Sequence, residues 1–268
     1  MQNLNELCRC CNSKIDKVFS AELLNQKVQY FECANCGYVQ TETPTWLDEA
    51  YANPINTSDT GIMERNIGNA RLVRAVVNLL RIQNATVVDF AGGYGILVRL
   101  LRDKGINALW SDGYCKNLLS AGFEHADQAA ELVTAFEVFE HFVDPQSELT
   151  KLFSIAPNVL LSTLIIPTPT PNIKDWLYYG LEHGQHIGFY RITTLQHLAN
   201  KNNKYLYSDG KAYHLFTSKP ISGLAWKLAI FKVKIVSYIN SKLSHSLVLH
   251  DQQAAINLRL SNKTQEKN

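Results

Sequence analysis

Val87 to Leu97 reads VVDFAGGYGIL, and the rest of the chain is best understood outward from it. ATVVDF is led by β-branched and apolar residues, the pattern of a buried strand. Gly92, Gly93 and Gly95 then supply a turn tight enough for backbone amides to meet a ligand, because a residue without Cβ tolerates positive φ and close approach. ILVRLLRDKG follows with helical apolar spacing and closes near Gly105, a residue suited to a helix C-terminus. A glycine turn placed between such a strand and such a helix is a candidate cofactor site. The pyrophosphate fingerprint of nicotinamide-binding folds wants another glycine three residues past Gly95, and Val98 stands there instead.

On the N-terminal side of that strand, Asn66 to Arg81 spaces Ile67, Ala70, Val73, Val77 and Leu80 three or four apart, which predicts an amphipathic helix. On the C-terminal side INALWSD, ELVTAFEV and NVLLSTLII predict three more strands, the last ended by Pro167. Strands alternating with helical segments predict right-handed crossovers and an α/β, Rossmann-like, doubly wound and mostly parallel sheet. This region spans residues 44–219. Residues 1–43 precede it as a small cysteine-bearing segment, and the turn-rich stretch TETPTWLDEAYANPINTSDTG connects the two. Residues 220–268 predict a helical extension that ends in a polar tail. A chain of 268 residues suits one large domain with small appendages better than two equal halves.

Hydrophobic residues at 46% and charged residues at 19% exclude global disorder and fibrous classes. A net charge of +2 with no basic stripe argues against a nucleic-acid partner, although Lys and Arg outnumber Asp251 and Glu266 after Pro220. MQNLNELCRC has no apolar segment of the secretory kind, so a cytoplasmic location is expected.

The pattern Asp89-x-Ala91-x-Gly93-x-Gly95 resembles motif I of the class I methyltransferases that use S-adenosylmethionine (SAM). The resemblance implies that Ala91, Gly92, Gly93 and Gly95 form the turn under the donor, and that Asp89 positions its methionine amino group directly or through water. Ala91 stands where that family carries its first glycine, a place at which positive φ is unfavourable for a side-chain-bearing residue. INALWSD ends in Asp112, where the family has an acid that accepts both ribose hydroxyls, a task suited to a two-oxygen acceptor. TAFEVFEH, Thr134 to His141, falls where the fourth strand of such a fold delivers its C-terminal edge, over which ligands sit. The resemblance sets Glu137 beside the methionine part of SAM; Glu140 and His141 serve equally well as caps or surface of the next helix. VDFAGGYGILVRLLRD, FEVFEHFVDP and EHGQHIGFY together resemble bacterial class I methyltransferases often encoded among polysaccharide and glycosyltransferase genes, from about Tyr51 to Thr217. That resemblance implies a small-molecule or saccharide acceptor and a place in surface polysaccharide biosynthesis.

Five of six cysteines lie in the first 36 residues, too dense for unrelated core thiols. Cys8-x2-Cys11 and Cys33-x2-Cys36 form two knuckles able to converge four thiolates on structural Zn²⁺, a zinc-ribbon-like arrangement that leaves no open position for water. Cys10 offers alternative pairs within CRCC. Similar four-cysteine segments precede the catalytic domain of some sugar C-methyltransferases, which this one resembles in spacing. Cys115 reads as a small apolar wall residue, since no neighbouring base is evident.

Methyl transfer from a sulfonium needs the acceptor aligned and its proton removed or shared. DWLYYGLEHGQHIGFYR concentrates candidates for that work. His186 is the first choice for general base because neutral imidazole accepts a proton near pH 7; His183 and Glu182 stand behind it, with Tyr178 also on the acceptor side. Trp176, Tyr178 and Tyr179 read either as an apolar wall against a sugar face or as helix packing. In ISGLAWKLAIFKVKIVSYINSKL, Lys227, Lys232, Lys234 and Lys242 interrupt the apolar run, which excludes a transmembrane span and leaves a packed accessory helix or a peripheral contact with anionic lipid at the inner membrane face. Two rival functions stand beside methyl transfer: a nicotinamide-dependent oxidoreductase, and a non-enzymatic zinc-ribbon binding module on a degenerate methyltransferase scaffold.

Overall fold

Successive side chains of a strand point to opposite faces, so the adjacent apolar residues Val87 and Val88, both fully buried, require cover on both sides of the sheet. The computed structural model supplies it; it describes residues 7–52 and 59–243, with 247, 250, 251, 253 and 257 beyond them. Part of the connector, the first six residues and the polar tail lie outside the described residues. In chain order the elements are β1 (Ile15–Leu23), β2 (Gln26–Cys33), β3 (Val39–Thr41), α1 (Leu47–Ala50), α2 (Ile62–Leu80), β4 (Thr86–Phe90), α3 (Ile96–Arg102), β5 (Asn107–Ser111), β6 (Leu132–Phe136), α4 (Pro145–Ile155), β7 (Asn158–Ser162), β8 (Gly188–Phe189), α5 (Ile192–Lys201), β9 (Tyr205–Ser208), β10 (Tyr213–Thr217) and α6 (Gly223–Leu243). Short 3-10 turns lie at Phe139–His141 and Leu177–Tyr179.

The larger sheet has the order β5-β4-β6-β7-β10-β9. Strands β5, β4, β6 and β7 run parallel, with Asp89 opposite Trp110 on one side and Thr134 on the other, while β10 runs antiparallel to β7 and β9. This is the class I methyltransferase arrangement, a Rossmann-like fold with a mostly parallel sheet. One face packs Val87, Ala108 and Leu132 against Leu72, Val76 and Val77 of α2, Leu97 and Leu101 of α3, and Trp226 and Ile230 of α6. The other packs Val88, Val133 and Val159 against Leu149 and Leu152 of α4 and Leu195 and Leu198 of α5. Each such apolar side chain taken fully from water contributes about 1.5–3 kcal/mol, so the two faces together outweigh any single polar contact described below.

The helix expected over Asn66–Arg81 begins earlier, at Ile62, and is closed by Arg81 in the left-handed region at φ 58°. Only the first half of NVLLSTLII is ladder; beyond Ser162 the chain leaves the sheet, and Ile165 and Ile166 meet Tyr190. The connector is not bare turn. Its Trp46 and Ala50 are buried around α1, and the Trp46 indole N–H donates to the Gly184 carbonyl at 2.8 Å.

The smaller sheet is antiparallel, in the order β1-β2-β3-β8. Its fourth strand comes from far along the chain: Val39 pairs with Phe189 and Gln40 with Gly188. Gly188 is required there, because a Cβ at this position would overlap the hydroxyl of Tyr38. The GQHIGFY segment therefore belongs to both sheets' neighbourhoods, closing the N-terminal one while lying over the C-terminal edge of the larger one.

Candidate functional site

Strand order reverses at β4, where β5 lies to one side and β6 to the other, and in open α/β sheets the crevice above that point takes ligands. Asp89 stands there near the end of β4, buried, its Oδ1 accepting the Thr134 hydroxyl at 2.7 Å. Burial, with a smaller push from the charge of Asp112, raises its carboxyl to about 7. The turn after it holds Ala91 at φ 55°, Gly93 at φ 55° and Gly95 at φ 83°. Ala91 thus adopts the glycine-favouring conformation despite its methyl, at a cost of about 1–2 kcal/mol. A side chain at Gly95 would collide with Ser120 and Asn117. Asp112, just past β5, ties the turn to its own strand: Oδ2 accepts the Gly93 N–H at 2.9 Å, and Oδ1 accepts those of Tyr114 and Cys115 at 2.7 and 2.8 Å. Tyr114, largely exposed, stacks its ring on Tyr51 at 4.7 Å.

Past β6, Glu137 also takes positive φ, 53°, and its N–H donates to Ser162 Oγ at 2.9 Å while the Ser162 hydroxyl donates to Glu137 Oε1. Strained residues of this kind gather where a site dictates backbone direction. Burial and the neighbouring Glu140 charge raise the Glu137 carboxyl. Asp89, Asp112 and Glu137 therefore stand at or just beyond the C-terminal ends of the three adjacent strands β4, β5 and β6.

The acceptor-side residues converge less evenly. His186 Nδ1 lies 2.5 Å from the Tyr178 carbonyl, and its Nε2 is 4.0 Å from Glu140 Oε1. The Tyr178 hydroxyl donates to the same Glu140 oxygen. His183 packs its ring 4.7 Å from that of His186 and accepts the Gln185 N–H on Nδ1 at 3.1 Å. Glu182 is exposed and outside this cluster, reaching His186 as a charge only. Of the aromatic wall, Tyr178 enters the cluster, whereas Trp176 and Tyr179 pack with Tyr30 and Phe189 against the smaller sheet.

The sequence reads Glu140 and His141 equally as caps or as surface of the next helix; that helix is instead capped by Asp144. Both lie on the 3-10 turn after β6, Glu140 fully buried and His141 with its ring 5.1 Å from His186. Burial raises the Glu140 carboxyl to about 7 and holds His141 and His186 below the ordinary imidazole range. The signal that could have found Glu140 was its place in an otherwise apolar post-strand segment, FEVFEHF, where burying a carboxyl without a task is costly.

At the other sheet, the Sγ atoms of Cys8, Cys11, Cys33 and Cys36 all lie within 4.8 Å of one another, with Cys8–Cys36 at 3.5 Å and Cys11–Cys33 at 3.4 Å. Tetrahedral Zn²⁺ with Zn–S of about 2.3 Å sets thiolates about 3.8 Å apart, so the four fit the ion. Cys10, buried beside them, is outside this group of four. Gly37 follows the second knuckle at φ 74°, and the Cys36 carbonyl accepts the hydroxyls of Thr193 and Thr194 at the start of α5, which anchors the knuckle to the larger domain.

Comparison with known proteins bears on the whole assembly. No curated protein matches the chain. Among solved structures it is similar to a methyltransferase of calicheamicin biosynthesis in its SAH-bound form, at 15% identity and TM-score 0.40 over 55% of this chain and 54% of that one, so it spans about half that protein's length. It is also similar to magnesium protoporphyrin IX methyltransferase from Synechocystis PCC 6803 with bound SAH, at 15% identity and TM-score 0.46 over 66% of this chain and 96% of that one. The family model for a methyltransferase domain matches residues 64–208, more than half of the 268, and takes in the glycine turn, the post-β6 acids and the histidine segment. The chain belongs to that methyltransferase-domain family.

Proposed function

We propose that the protein transfers the methyl group of SAM to a small-molecule or saccharide acceptor. One observation carries the reading: Asp89, Asp112 and Glu137 crown adjacent strand ends around a turn whose positive-φ residues include a strained alanine. In this reading Asp89 meets the donor's ammonium, Asp112 the ribose hydroxyls, and Ala91, Gly92, Gly93 and Gly95 admit the donor to the backbone. The acceptor's proton passes to the cluster of buried Glu140 with the half-buried Tyr178 and His186, with His183 as its flank and Glu182 as an outer charge. A carboxyl poised near 7 beside an imidazole kept neutral is suited to proton transfer near neutral pH. The methyl group itself is supplied by bound SAM in an in-line displacement, so these residues orient and deprotonate rather than form bonds to carbon.

Zinc on the four cysteines is structural in this proposal, because four thiolates close the coordination sphere. A role in surface polysaccharide assembly rests on sequence resemblance. No helix among the described residues is long and apolar enough to cross a membrane. Helix α6 leaves Leu224, Leu228 and Phe231 more than half or half exposed beside Lys227 and Lys232, which supports peripheral contact with anionic lipid; failure to float with anionic liposomes at low salt would remove that contact.

Calorimetry with SAM and with NAD tests the core reading. SAM is expected to bind and NAD not to; binding of NAD alone would restore the oxidoreductase, and binding of neither would favour a non-enzymatic module. With an acceptor in hand, His186→Ala is expected to lower turnover by about 10²–10⁴-fold with SAM affinity retained.

A further inference from the structure

The cluster above the end of β6 has more unused ligand capacity than proton transfer requires. Glu140 Oε2 and His141 Nε2 are buried, and neither has a hydrogen-bond partner. Leaving such groups buried and unpaired is costly, so a native fold keeps them for a reason. Glu140, His141 and His186 each present one ligand atom, and the three atoms lie within 4.8 Å of one another. We propose that Glu140, His141 and His186 bind a divalent transition-metal ion, separate from the four-cysteine site.

The surroundings of each group match what a ligand needs. His186 Nδ1 sits on the Tyr178 carbonyl at 2.5 Å, and an N–H donating there leaves the lone pair on Nε2, the nitrogen that faces Glu140 at 4.0 Å. A backbone acceptor on the far nitrogen is how metal-bound imidazoles are oriented. The Tyr178 hydroxyl holds Glu140 Oε1 in the same manner, as a hydrogen-bonded ligating carboxylate is held. Two imidazole nitrogens among three donors select zinc, iron(II) or manganese(II) over calcium and magnesium, which favour all-oxygen sites. Three protein ligands leave a coordination position open, unlike the closed thiolate centre. An ion held there would lower the pKa of an acceptor hydroxyl, and His186 Nε2 would then serve as its ligand in place of the proton-accepting role proposed above.

Binding needs neither SAM nor acceptor, so it is tested apart from methyl transfer. The full chain, its cysteine site loaded with zinc, is titrated with Co²⁺ and followed by visible absorption, since cobalt entering the thiolate site announces itself by thiolate-to-cobalt charge transfer. The expected result is uptake of one Co²⁺ per chain with ligand-field bands and no added charge transfer. His141→Ala and His186→Ala are each expected to weaken it at least about tenfold, and Tyr178→Phe, which removes only the hydroxyl that orients Glu140, by about tenfold. Two results overturn the proposal: a wild-type chain that takes up no cobalt outside the thiolates, or a His186→Ala variant with an unchanged melting temperature that binds cobalt as tightly as wild type. SAM binding that survives either result leaves the methyltransferase reading standing.

Discussion

Asp89 combines two demands that pull against each other. Its burial costs the unliganded protein stability, and in the proposed donor site its charge is what the ammonium of SAM would reward. With its carboxyl raised from 3.8 to about 7, the stabilising protonated form is fully present below the unfolded pKa and is lost as pH rises through 7. Asp89→Asn is therefore expected to melt above wild type without ligand, by a margin that grows between pH 4 and 7 toward a ceiling of about 4 kcal/mol. SAM affinity should move oppositely: it falls by up to about tenfold per pH unit below 7 in wild type, and calorimetry on Asp89→Asn should show weak, pH-independent binding. A flat wild-type profile would remove Asp89 from the donor site. Ala91 poses a simpler question of backbone strain. Relieving its positive φ by Ala91→Gly should stabilise the fold by roughly 0.5–1 kcal/mol, the strain of about 1–2 less the added unfolded-state entropy, read as a rise in melting temperature. Motif I was legible in the sequence at this scale; that the alanine still takes the glycine conformation was not, because only the surrounding ladder and the Asp112 bonds enforce it.

Among elements, α6 shows how far pattern carries. Its lysines ruled out a membrane span from sequence alone, yet which side chains face inward depended on α2 lying beside it. Trp226, at 2% exposure, and Ile230 close the apolar layer over Leu215 and Leu160, and Lys234 pairs with Asp209 at 2.8 Å. Trp226→Ala is expected to cost about 3–5 kcal/mol in denaturant unfolding, whereas Phe231→Ala, on the exposed side at 60%, should cost little. Equal costs would mean that α6 does not pack as described. The short strand β8 is the opposite case. No periodicity marks a two-residue strand, and its partner β3 lies some 150 residues earlier by chain number, so the pairing was invisible until the chain was folded.

At the scale of the molecule, that pairing links the cysteine cluster to the segment carrying His186 through consecutive strands of one sheet. Cys33 ends β2, β2 pairs with β3, β3 pairs with β8, and His186 lies two residues before β8. The donor turn, built on β4 and β5, shares none of these bonds. Disabling the four-cysteine site alone, with Cys8→Ser and Cys36→Ser together, is thus expected to lower turnover on the order of a hundredfold, through misplacement of the histidine segment, while SAM affinity measured in parallel stays near its starting value. Equal loss of both would mean general unfolding instead. The sequence by itself determined the α/β class, the strand-turn-helix at Val87 to Leu97 and the two cysteine knuckles, because each is a local pattern of spacing and side-chain type; Asp112 and Glu137 were singled out only by resemblance to a family. Tertiary structure alone decided that Glu140 and His141 face the histidines, that Glu182 does not, and that the N-terminal sheet is completed by the segment carrying His186. Burial and long-range pairing set those outcomes, and neither is a property of neighbouring residues in the chain.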